Sequence, residues 1–316
     1  MAIPMKYLCF ALLAGCATAE PDSGAVPQES EAIAAVTSCP TWCQEAAPVT
    51  SRLYSVWAAS ADDVFAVGDA GVILRRVGGV WTQMTSPTPN NLRGVWGLSS
   101  SDVWVSGVAV NGVGTVLHFD GTAWSPVAGA TTDLDSVWAA SSTDVWFTGS
   151  TVVLRWNGSA LSAVSNGFAG PLLSVSGTSS NDVWVTGENT NVHHWNGTSW
   201  STLTAGVGTS SLMSVLAVGA GDDWVSDFMP GKETAHWNGS KWTTFKGSSG
   251  TGWSGMSPLS STDIWAVGGS HVSHWDGTAW TAETSPGGSA VLWSVTARPG
   301  NAWLVGDAGL IAHRTF

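Results

Sequence analysis

Beyond residue 40 the chain is written in short runs where apolar and polar positions alternate, the period-two pattern of half-buried strands. One unit shows the grammar: Leu134-Asp-Ser-Val-Trp138, then Asp144-Val-Trp-Phe-Thr148, then Val152-Val-Leu-Arg-Trp156, with a fourth strand beginning at Trp124 or Trp200 in neighbouring units. Between the third and fourth strands stand Asp120-Gly121, Asn157-Gly158, Asn196-Gly197, Asn238-Gly239 and Asp276-Gly277. Such dipeptides supply the positive φ angles of a two-residue type I′ hairpin, so a tight turn is expected at each. Three of them also read as Asn-Gly-Ser/Thr sequons, which the turn explains without glycosylation.

The unit repeats. An Asp-Val-Trp-like triplet recurs with its aromatic residue at positions 65, 104, 146, 184, 224, 265 and 303, at separations of 39, 42, 38, 40, 41 and 38 residues. A period near 40 built of short strands is the signature of propeller blades, and seven copies predict a seven-bladed all-β propeller of four-stranded antiparallel blades. The seventh unit stops at Phe316, after its third strand. Its missing partner stands at the other end: Thr41-Trp42-Cys43 aligns with Ala279-Trp280-Thr281, and Trp42 precedes Trp57 by 15 residues, as Trp81 precedes Trp96. The N-terminal segment should therefore complete the last blade and remove an exposed edge.

This repeat absorbs most of the unusual composition. Of 21 Trp residues, 19 fall in columns, three in first strands, six in second, four in third and six in fourth, so packing between blades accounts for them. Only Trp253 and Trp293 stand outside the columns. A basic residue precedes the third-strand aromatic or its equivalent in every blade, at Arg75, His118, Arg155, His194, His236, His274 and His313. Arg155 should lie across from Trp146 and diagonal to Asp144, giving a cation-π contact and a charge-assisted hydrogen bond that lock the blade. Spread over five blades, the column histidines cannot gather around one metal, and no metal or other cofactor is expected.

Charged residues make up 11% of the chain, against about 25% in an ordinary soluble domain, and the net charge is -12. Nucleic acid is thereby disfavoured as a partner. At the N-terminus Lys6 precedes the apolar run Tyr7–Ala14, long enough for a signal-peptide core and too short to span a bilayer. It ends in Leu13-Ala14-Gly15-Cys16, which resembles the lipobox of bacterial lipoproteins, where the cysteine is acylated. That resemblance implies a signal peptide at 1–16, lipidation at Cys16 and, with Ala at position 17, an outer-membrane or cell-surface destination. Residues 17–37, rich in Ala, Pro, Ser and Glu and without aromatics, read as a flexible tether to a propeller spanning 38–316. Export permits a Cys39–Cys43 disulfide, provided that Pro40 turns the chain.

No Gly-x-Ser-x-Gly elbow, His-Glu-x-x-His, phosphate-binding Gly loop or EF-hand pattern occurs. The Asp-Gly-Thr-x-Trp and Asn-Gly-Thr-x-Trp segments (120–124, 196–200, 276–280) resemble a shortened Asp-box of bacterial neuraminidase repeats, and the Val-Trp-Ala-Val-Gly style of second strand is similar to tectonin-like propellers. The resemblance covers residues 41–316 and implies the fold. The three-arginine clamp of the sialidases has no clear counterpart among the arginines of this chain.

Candidate function therefore sits where blades differ. The second position of the first strand reads Tyr54, Arg93, Asp135, Leu173, Met213, Ser254 and Trp293, and this variable ring should line the mouth of the central channel. The loop between second and third strands is longer in blades two and five, around Asn111 and from Asp227 to Glu233 with Met229 and Lys232, on the same face. The expectation is a non-catalytic module docking a protein partner, with Tyr54, Arg93, Asp135, Trp293, Asn111, Asp227 and Lys232 as contacts. A glycan-binding lectin and a polysaccharide-active hydrolase or lyase remain as alternatives.

Overall fold

The computed structural model describes residues 39–316 apart from 189, 208–210, 228–232 and 249–251. The expected signal peptide, Cys16 and the expected tether lie outside the described residues, as do Met229 and Lys232. Seven four-stranded antiparallel sheets form, six of them paired in sequence order from an inner to an outer strand. Blade three is typical, with Ser136–Ser141, Asp144–Gly149, Val152–Trp156 and Leu161–Val164 in turn. In blade seven the strands Leu292–Arg298, Asn301–Gly306 and Ile311–Thr315 receive Cys43–Gln44 as their fourth, so the ring closes as the repeat predicts.

That closing strand is only two residues long, and other bonds carry the joint. Cys39 donates from its N–H to the Thr315 hydroxyl and accepts from the Thr315 N–H, while the Glu45 N–H reaches the Ile311 carbonyl. The Cys39–Cys43 disulfide forms, with Cα atoms 5.8 Å apart, across the turn that Pro40 allows. Trp42 is buried edge-on against Trp265 of blade six. The carboxylate of Glu45 accepts from the Arg76 guanidinium and from the Trp81 indole, with N···O distances from 2.6 to 3.2 Å, tying the joint to blade one.

Between blades the second-strand aromatic is the main wedge. Trp146, fully buried, packs with Val175, Val183 and Val185 of blade four, and burying such a side chain contributes about 3 kcal/mol. The basic column behaves as a lock: Arg155 donates from Nε to Asp144 at 2.6 Å with its guanidinium 4.7 Å from the Trp146 ring centre. His118, His194, His236 and His274 each bond the Asp of their own blade at 2.7–2.9 Å and stack on its Trp. His313 does the same with Asn301 and Trp303.

One local expectation needs correction. The Asx-Gly segments between third and fourth strands are four-residue loops, since Trp156 pairs with Leu161 across Asn157–Ala160. Asn157 Oδ1 accepts the N–H groups of Ser159 and Ala160 and the Ser159 hydroxyl, and only Gly158 takes a positive φ, +91°. This side-chain cap competes with a two-residue turn and wins wherever a Ser or Thr follows the glycine. Without that hydroxyl, blade one does make the two-residue turn, at Gly78-Gly79 between Val77 and Val80.

Candidate functional site: the channel mouth

The inner strands stand around a channel holding a cavity of about 590 Å³, and all seven variable-ring residues line it. Below them lie Ser55, Ser136, Ser174 and Ser294, whose hydroxyl oxygens accept the N–H groups of Val95, Val175, Val215 and Val56 on the following blade at 3.1–3.3 Å. These serines were not singled out from sequence, although they form a column one residue beyond the variable ring. They stitch adjacent inner strands together and make the mouth a rigid platform.

On that platform the four expected contacts Tyr54, Arg93, Asp135 and Trp293 come from four consecutive blades and form two groups, each of residues in contact. The Tyr54 and Trp293 rings lie 5.7 Å apart, and the guanidinium of Arg52 sits over both, 5.5 and 5.4 Å from their centres. Arg52 donates to the Asp307 carboxylate at 2.7 Å and to the Tyr54 hydroxyl at 3.2 Å, while the Trp293 indole donates to the same Asp307 oxygen at 2.9 Å. Sequence reading missed Arg52 and Asp307; the signal was that they flank the mouth, one residue before an inner strand and one after a second strand. The second group is the Arg93–Asp135 ion pair. The Asp133 carboxylate also acts through space on the Arg93 guanidinium. Burial pushes the Asp135 carboxyl above its ordinary range, and the bond from Arg93 pulls it back.

The arginine side chains are 41% exposed at Arg52 and 38% at Arg93, so each pair contributes at most about 1 kcal/mol to stability. Their function is to fix groups in place. Across the mouth, blades four, five and six offer Leu173, Met213 and Ser254, an apolar and small-residue half opposite the charged and aromatic one.

Asn111 lies where expected, at the exposed tip of the blade-two hairpin, with a φ of 53° that makes the Asn111-Gly112 turn possible. Asp227 does not. It is the last residue of the strand Asp222–Asp227, paired with Leu212 and 2% exposed, and its carbonyl accepts from the Trp253 N–H. The corresponding position is Gly68, Gly107, Gly149, Gly187, Gly268 or Gly306 in the other blades. The strand thus runs one residue further than the loop count implied, and Asp227 is a buried side chain of the blade rather than a surface contact. Trp253, outside the columns, is also core, packed 4.1 Å from Trp280. Among the described residues no cluster of His, Cys, Asp and Glu could hold a metal ion.

No protein-family model and no curated protein matches the sequence. Solved structures resemble the fold. A structure titled YCF48 bound to D1 peptide superposes with a TM-score of 0.71 at 14% identity, covering 91% of this chain and 99% of that one. The WD40 propeller domain of Doa1 gives 0.73 at 14%, covering 87% and 96%. A catalytically inactive virginiamycin B lyase from Staphylococcus aureus, solved with quinupristin, gives 0.75 at 13%, covering 87% and 99%. At these identities the likeness is one of fold.

Proposed function

We propose that this chain is a non-catalytic interaction module that docks one segment of a protein partner on the channel mouth, displayed at an outer membrane or cell surface through lipidation at Cys16. The observation that carries this reading is the asymmetry of the mouth. A repeat protein that binds repeated sugars is expected to repeat its contacts, whereas here the aromatic and charged groups occupy four adjacent blades and Leu173, Met213 and Ser254 fill the remaining three. Such a surface suits a single ligand in a single orientation. The Arg52–Asp307 pair holds Tyr54 and Trp293 in position. A peptide-bound YCF48 among the similar folds supports the reading at the level of architecture.

The test is site-specific photocrosslinking. A photoreactive residue at Leu173 should capture a protein, and one at Thr281 on an outer strand should not. Capture from Thr281 alone would move protein docking to the blade edges, and multivalent retention on a glycan array abolished by outer-strand changes would make those edges a lectin surface.

A further inference from the structure

The site does not end at the mouth. Among the described residues the blade-two hairpin, Asp102–Val110 and Val113–Phe119, has the longest second and third strands, and its tip carries Val110 and Val113, 46% and 66% exposed. This projection is fastened to the mouth. Asp133, which acts on Arg93, accepts the Ala109 N–H at 2.7 Å, and the Gly114 N–H bonds the Ala130 carbonyl. A Cβ on Gly114 would lie 2.5 Å from the Thr132 carbonyl oxygen, so the hairpin rests directly against that connection. Two valines are therefore held in water on a fixed support, beside the charged half of the mouth. Beside the hairpin the charge is one-sided: the carboxylates of Asp133 and Asp135 share one guanidinium, that of Arg93.

From this juxtaposition we infer that the partner segment is an extended basic peptide, with an apolar side chain that packs on Val110 and Val113 and a Lys or Arg that meets the carboxylates between the hairpin and the mouth. The inference rests on the docking function proposed above and specifies its ligand. Valines contribute to burying an apolar side chain and little to holding a glycan hydroxyl, while surplus carboxylates attract cations and weaken as salt rises.

A phage library of random dodecapeptides, selected on the full chain and followed by titration of synthetic winners, provides the probe. Winners should carry Lys or Arg together with an apolar residue. Val110→Ser with Val113→Ser should weaken them about tenfold or more. Asp133→Asn, which keeps the acceptor for Ala109, should weaken them about threefold and flatten their salt dependence. Unchanged thermal unfolding of these variants would show that the platform is intact. Winners displaced by Tyr54→Ala but indifferent to the hairpin and to Asp133 would overturn this inference and leave the mouth as the site. Winners indifferent to Tyr54→Ala and Trp293→Ala as well would remove the docking function itself.

Discussion

Replacing Asp223 by Val should make the protein more stable, by an amount that grows with pH. Asp223 occupies a second-strand position that is Val64, Val103, Val145, Val183, Ile264 and Ala302 elsewhere, is 0% exposed, and finds no hydrogen-bond partner for either carboxyl oxygen. Burial, with the nearby carboxylates of Asp182 and Asp222, pushes its pKa from 3.8 to about 8. The folded state thus keeps a proton that the unfolded chain releases, so stability falls as pH rises from the ordinary value to about 8 and levels off above it. The slope is about 1.4 kcal/mol per pH unit, and between about pH 5 and about pH 8 the loss is about 4 kcal/mol. For a propeller of this size that corresponds to a fall in Tm of about 7 °C. The Val variant should lack this slope. Thermal unfolding of both proteins in matched buffers across the range measures it, and a wild-type-to-variant difference independent of pH would refute the assignment of a buried protonated carboxyl.

Other expectations follow from the same structure. Glu45→Gln leaves the buried guanidinium of Arg76 without its counter-charge and should cost about 3 kcal/mol or more in thermal or denaturant unfolding; an unchanged midpoint would show that the ring closes without that pair. Deleting residues 38–50 should open the last blade and drive association, and a truncated chain that stays monomeric with an unaltered melting curve would contradict the closure. Burial lowers the pKa of His193 from 6.5 to about 4, so its neutral ring, stacked on Phe168, should resist protonation in a histidine NMR titration down to about pH 5. Titration at the ordinary value would place that ring in solvent. Cys16→Ser should release the protein from membranes, and continued retention would defeat lipid anchoring.

Blade number, strand order and ring closure were legible because each is written in a period: the aromatic at intervals near 40, the basic column, and an orphan Trp42 matching Trp280. Repetition averages away local exceptions, so exceptions were where reading failed. Loop counting placed Asp227 outside because spacing cannot say where a strand ends; at its six glycine counterparts an added Cβ would lie within 2.4 Å of a carbonyl oxygen of the same blade, and five of them, all but Gly107, end their strands. The variable ring was located correctly by its variation, yet which members touch depends on the order of blades around the channel. Arg52 was invisible as a contact because it occurs once and lies outside the column, although its guanidinium is the group that holds Tyr54, Trp293 and Asp307 together.

The central claim, one protein segment docked at the mouth, is most directly tested by hydrogen exchange of the full chain with and without a selected peptide. Protection should rise in the segments containing Tyr54, Arg93, Asp133 to Asp135 and Trp293, on one end of the ring only. Protection confined to the outer strands, or repeated evenly over all seven blades, would contradict it.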